Sequence, residues 1–150
     1  MLGLASACSS TPPATPYAAP AGSSAVVHGD VGERAAAIAV NQIGVPYRYG
    51  GKSPRGFDCS GLVHYSYSRA GKRVPRTTGQ LWSSTAVVAR HELRAGDVLF
   101  FRIAGKMSHV GLYLGGRRFV HAPSSGRTVT VASLDSPFYK DAFLRAGRPQ

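Results

Sequence analysis

A chain of 150 residues suffices for one hydrophobic core, and its 18 Lys+Arg against 7 Asp+Glu give a formal net charge of +11. No apolar run is long enough to span a bilayer. The basic residues are scattered, with no helix-turn-helix, zinc-finger or aromatic RNA-binding pattern, so they read as a solvated surface suited to polyanions and no nucleic-acid partner is expected.

Residues 1–29 carry no Lys, Arg, Asp or Glu and are rich in Ala, Ser, Thr and Pro, including Pro12, Pro13, Pro16 and Pro20. Such a segment has too little apolar surface to offset its ordering entropy and reads as linker. Leu4-Ala5-Ser6-Ala7-Cys8 resembles the end of a bacterial lipoprotein signal, although a basic n-region and a full apolar stretch are missing. Two readings compete: a start site set too far downstream, with Cys8 as a lipidation candidate ahead of a tether, or an incidental Cys in a small-residue tail. The first is favoured, and a lipid there would anchor the protein to a membrane without spanning it.

Residues 30–150 suit one domain. Asp30, with Glu33 three residues on, marks a helix start, and Ala35, Ile38, Ala39 and Gln42 continue it until Gly44 and Pro46. Residues 46–56 read as loop. Asp58 can cap a second helix with Cys59 in its first turn, Leu62, Val63, Ser66, Tyr67 and Ala70 on one face, and Gly71 as its stop. Thr77 and Gln80 frame a third, short helix. Beyond Gly96 the pattern turns to strands: 97–102, 109–113, 118–122 and 128–131, with a last one at 143–146. Helices followed by a strand-rich meander indicate an α+β class with a mainly antiparallel sheet.

Cys59 is the only cysteine of this domain, so it has no disulfide partner there. The first turn of a helix offers free N–H groups and the positive end of the macrodipole, which together are expected to lower a thiol pKa. A nearby imidazole would complete activation as a thiolate–imidazolium pair and later protonate a leaving amine. His109 and His121 fall in adjacent strands joined by Leu114-Gly115-Gly116. A two-residue turn at Gly115-Gly116 would pair Val110 with His121 and put the rings on opposite faces. A three-residue loop over 114–116, or a bulge of the same effect, would pair His109 with His121 on one face. The second is expected, with Cys59 as nucleophile, His109 as base and His121 holding its tautomer. His64 and His91 read as surface or packing residues, and His28 lies in the linker.

Six blocks then occur in order: Gly44-Val45-Pro46-Tyr47-Arg48-Tyr49-Gly50-Gly51, Phe57-Asp58-Cys59-Ser60-Gly61-Leu62, Pro75-Arg76-Thr77-Thr78, Gly96-Asp97-Val98-Leu99-Phe100-Phe101, His109-Val110-Gly111-Leu112-Tyr113-Leu114-Gly115 and Phe119-Val120-His121-Ala122. From about Ala35 to the C-terminus the chain resembles the NlpC-type family of bacterial cell-wall cysteine peptidases. The resemblance implies a compact papain-like fold, with N-terminal helices packed on the sheet. It also implies hydrolysis of the bond between D-γ-glutamyl and a diamino acid in peptidoglycan stem peptides. Cys59 matches the family's nucleophile, His109 the base and His121 the third polar residue. Tyr47 matches a tyrosine that shapes the oxyanion site. Asp58 and Ser60 match residues that hold polar groups of the stem peptide, and a carboxylate such as Asp58 suits a free amino terminus. Arg76 and Thr78 lie in a segment matching a substrate-lining loop.

The expected partner is therefore the peptidoglycan stem peptide, the expected state a monomer, and the expected place the cell envelope or the outside. With no separate wall-binding module visible, targeting falls to surface charge or to a lipid on Cys8. No cofactor is expected. Zinc on Cys59, His109 and His121 would want a fourth ligand or an open water position, and neither paired Cys nor an H-E-x-x-H motif accompanies them. The competing function is a non-catalytic peptidoglycan-binding or scaffold protein on the same fold.

Overall fold

Asp30 opens the first helix of the computed structural model, which describes residues 29–150. The readings made for Cys8, His28 and the linker fall outside those residues. In α1 (Val31–Val40) the Asp30 carboxylate accepts the Glu33 N–H at 2.9 Å, and Ala35, Ala36 and Ala39 are buried. Their small side chains let α1 lie close on α2 (Cys59–Arg69), whose Leu62, Val63, Ser66 and Tyr67 are buried as the spacing predicts. Between them, the segment expected to be loop carries a small antiparallel hairpin, β1 (Lys52–Ser53) with β2 (Gly56–Phe57). Its turn is Ser53-Pro54-Arg55-Gly56, where proline pre-sets the backbone, so the breakers that suggested loop in fact build the turn.

After α3 (Thr78–Ser84), which Thr77 caps, come β3 (Thr85–Val88), a 3-10 turn at Arg90–Glu92, β4 (Val98–Ile103), β5 (Lys106–Gly115), β6 (Arg118–His121), β7 (Thr130–Ser133), α4 (Pro137–Ala142) and β8 (Phe143–Pro149). The six long strands form one antiparallel sheet in the order β3-β8-β4-β5-β6-β7. The α+β class holds. The simple meander does not, because β8 inserts between β3 and β4. Neither β3 nor α4 is expected from the sequence.

Both faces of the sheet are covered. Val98, Phe100, Val110, Leu112 and Val120 pack with α1 and α2, whereas Leu99, Phe101, Phe119 and Ala146 pack with Leu134 and Ala142 on the other side. Burial on both faces explains why β4 reads as the unbroken apolar run Val98-Leu99-Phe100-Phe101. The Tyr67 hydroxyl donates to the Gly96 carbonyl at 2.6 Å, tying α2 to the start of β4.

Candidate active site

Cys59 is the first residue of α2 because Asp58 stops the preceding strand and caps the helix, accepting the Gly61 N–H at 2.7 Å. The sulfur lies 3.7 Å from the Ser108 carbonyl and 3.9 Å from Thr78 Oγ1, and it also receives the Val110 N–H. Ser108 and Val110 flank His109, so the thiol abuts the stretch of β5 that carries this imidazole. Among the described residues the sulfur makes no hydrogen bond to either imidazole. Burial pushes the thiol above its ordinary pKa, outweighing the Val110 N–H, the Thr78 hydroxyl and the Ser60 N–H, which pull the other way. The lowered thiol pKa expected from the helix start is thus corrected: desolvation of the charged form exceeds the help of the helix N–H groups.

The histidines meet. His109 Nε2 and His121 Nδ1 are 2.7 Å apart, and both residues are buried. The chain reaches this geometry by a bulge, not by a three-residue loop. Tyr113 pairs with Phe119, Gly115 pairs with Arg118, and Leu114 is the extra residue. The turn itself is Gly116-Arg117, with φ of 58° and 59°, as a two-residue turn of the I′ kind needs. One further step along this ladder sets His121 opposite Gly111, not opposite His109. The rings share a face as expected, but they touch along the diagonal of the ladder. Desolvation lowers His109 to about 4, and desolvation with the neighbouring His109 lowers His121 to about 3, so both imidazoles are neutral at pH 7.

The thiol opens onto a cleft of about 450 Å³ lined by Tyr47, Tyr49, Gly50, Asp58, Ser60, Arg76, Thr77, Thr78 and Ser108. All the residues singled out for substrate contact therefore line one cavity. Arg76 grips Asp58 in a two-pronged pair, Nη1 to Oδ1 at 3.0 Å and Nη2 to Oδ2 at 2.8 Å. Ser60, 5% exposed, accepts from Arg76 Nη1 at 3.0 Å. The Tyr47 phenol is raised chiefly by burial and then by Cys59, so it is a neutral donor at the cleft wall. Among the described residues no group of three His, Cys, Asp or Glu side chains converges as a metal ion would need.

Three site residues went unnoticed in the sequence. Ser108 contributes a carbonyl, which carries no sequence signal. Tyr49 is 91% exposed at the cleft rim and sits in the Tyr/Gly-rich block already picked out. Tyr139 packs edge-on against His121 at a centroid distance of 5.3 Å. Its helix could have been found from Ser136-Pro137, the cap-then-proline start of α4. His64, read as a surface or packing residue, is half-buried with Nδ1 2.9 Å from the Val74 carbonyl.

Comparison with known proteins places the fold in a family. The NlpC/P60 family pattern matches residues 44–148. Murein DD-endopeptidase MepH of Escherichia coli is 40% identical over 126 residues, which is 77% of this chain and 46% of that protein. A probable endopeptidase NlpC homolog of Haemophilus influenzae is 36% identical over 120 residues, 79% of this chain and 63% of the relative. The chain thus spans about half to two-thirds of the length of these relatives. Among solved structures, the NlpC/p60 domain of the peptidoglycan hydrolase SagA superposes with a TM-score of 0.68 at 36% identity, covering 78% of this chain and 97% of that domain. The helices on an antiparallel sheet are therefore the papain-like fold of these domains, and with the family pattern running from the Gly44 block to the last strand, this chain belongs to the NlpC/P60 family.

Proposed function

We propose that this protein is a peptidoglycan-hydrolysing cysteine endopeptidase of the cell envelope. The observation that carries the reading is the buried 2.7 Å contact between His109 Nε2 and His121 Nδ1 beside a thiol at the head of a helix. If His109 donates its Nε2–H to His121, its Nδ1 is left free as a base. Cys59 Sγ then attacks the carbonyl carbon of the scissile amide while its proton passes to His109. The C–N bond breaks as that proton moves to the leaving amine, and water later hydrolyses the thioester, restoring the thiol. With Cys59 raised and His109 lowered by burial, thiol and imidazole rest neutral, and the proton moves as the sulfur attacks. The Tyr47 hydroxyl donates toward the oxygen that becomes negative.

The bond that the resemblance implies is D-γ-glutamyl to diamino acid. A second reading is a bond between two D-residues, supported by relatives named murein DD-endopeptidase. No helix among the described residues is long and apolar enough to cross a membrane, and attachment would fall to a lipid on Cys8. Mass spectrometry of purified muropeptides after incubation tests the function. Wild type should release cleaved peptides of defined mass, and Cys59→Ala should release none while keeping its circular dichroism. Equal cleavage by the variant would sink the cysteine mechanism, and no cleavage by the wild type would leave a scaffold role.

A further inference from the structure

We infer that Arg145 is a positioning residue for the nucleophile: it fixes the tail of α3 and so holds the Thr78 hydroxyl, at the head of that helix, against Cys59 Sγ. The inference rests on Cys59 being the nucleophile proposed above.

α3 has seven residues, too few to keep its shape or its place without tertiary contacts. Its first residue, Thr78, brings Oγ1 to 3.9 Å from the Cys59 sulfur. Either atom can donate while the thiol keeps its proton, but only the hydroxyl can donate once that proton has gone. A hydroxyl at this point therefore favours the charged sulfur against the burial that opposes it. The contact is a long one, so a small retreat of α3 removes it.

The other end of α3 is held by β8. Arg145 pairs with Phe100 across the β4–β8 ladder, which puts its side chain on the face that packs against the helices. Its guanidinium carbon lies 3.8 Å from the centroid of the Trp82 ring, and its Nη2 donates to the Trp82 carbonyl. Trp82 in turn meets Phe100 edge-on at 5.2 Å. One side chain thus grips both the ring and the backbone of the last turn of α3. It satisfies one of the carbonyls that a helix end leaves unpaired, and it puts a positive charge where the macrodipole is negative. Stability alone does not account for an arginine here. Its Nε is buried without a partner, a cost that an apolar side chain of similar length would avoid. What the guanidinium adds is a fixed two-point hold on Trp82.

The test reads the sulfur without substrate, so its outcome is independent of whether the cleft cuts peptidoglycan. Alkylation of Cys59 by iodoacetamide in the full-length protein is followed by peptide mass spectrometry across a range of pH. Thr78→Val, which keeps the shape and removes the hydroxyl, should raise the midpoint of that profile by about 0.5–1 pH unit. Arg145→Met should raise it by a similar amount, and the double variant no further than either alone. The charged and titratable groups around the sulfur are the same in every variant: Asp58 with its Arg76 partner at the helix cap, Tyr47 on the cleft wall and His109 on β5. Arg145→Lys keeps the charge but not the planar fork, so it should recover less than half of the shift, and it carries the comparison if the methionine variant does not fold. An unchanged midpoint in Thr78→Val, or in a folded Arg145 variant, overturns the inference. Additive shifts overturn it as well, because Arg145 would then reach the sulfur by a route other than Thr78.

Discussion

Gly111 lies one step past the Leu112–Val120 pair of the β5–β6 ladder, level with His121, and a side chain there would crowd the His121 ring that meets His109. A Cβ built on Gly111 would lie 2.7 Å from Phe119 Cδ2, 3.1 Å from the Val120 carbonyl and 3.3 Å from His121 Cβ. Gly111→Ala should therefore move β6 and the His121 ring. The overpacking should cost about 1–3 kcal/mol of stability, and a displacement of the orienting imidazole should cost on the order of 100-fold in kcat. Urea unfolding together with steady-state cleavage checks both. Unchanged kcat in a folded variant would show that the diagonal contact is not needed for the reaction.

The neutral histidines predict an acid-sensitive fold. Burial lowers His109 to about 4 and His121 to about 3, against about 6.5 in an unfolded chain. Folded values below unfolded ones mean that the unfolded chain takes up protons first as pH falls. The stability these groups contribute is complete above about pH 6.5 and is lost as pH falls toward about 4. A loss on the order of 1–3 kcal/mol is expected across that window. Urea titrations at several pH values should show the slope, and His109→Gln should flatten it. A flat profile in the parent protein would contradict the assignment of neutral buried imidazoles.

The thiol has its own pH signature. Burial raises Cys59, so little thiolate exists near neutrality before substrate binds. Alkylation of the free enzyme by iodoacetamide, followed by peptide mass spectrometry, should be slow at pH 6 and should accelerate only above the ordinary range of a free thiol. Fast labelling of Cys59 at pH 6 would indicate a preformed thiolate–imidazolium pair and would restore the expectation drawn from the helix start.

The two ends of that comparison show what the sequence makes legible. Asp58-Cys59 at a helix start is local information, carried by a capping side chain and a 3.6-residue apolar period, and it reads correctly. The shared face of His109 and His121 is a parity argument, and parity survives a wrong loop. The exact partner does not: a single inserted residue, Leu114, shifts the ladder, and no residue type announces a bulge. Net desolvation at Cys59 depends on what packs over it from α3 and β5, which are distant in the chain. The same holds for β8, whose insertion between β3 and β4 is fixed by long-range pairing that no local pattern records.

That inserted strand is secured by a buried charge. Arg148 near the end of β8 donates to Asp97 through Nε at 2.8 Å and Nη2 at 2.9 Å, and Asp97 also accepts the Arg94 N–H at 2.8 Å. The Asp97 side chain is 2% exposed and that of Arg148 33%. Burying the carboxylate costs several kcal/mol unless it stays paired. Arg148→Ala removes the partner, leaves the carboxylate with the Arg94 N–H, and takes away a side-chain tie between the end of β8 and the start of β4. Because the arginine is partly solvated, the expected loss sits below that of a fully buried pair, at about 2–3 kcal/mol. The double variant Asp97→Asn with Arg148→Ala should recover part of it, since it no longer strands a charge. Denaturant midpoints for the single and double variants decide the matter. A single variant within about 0.5 kcal/mol of the parent would mean that water and the Arg94 N–H satisfy Asp97 unaided.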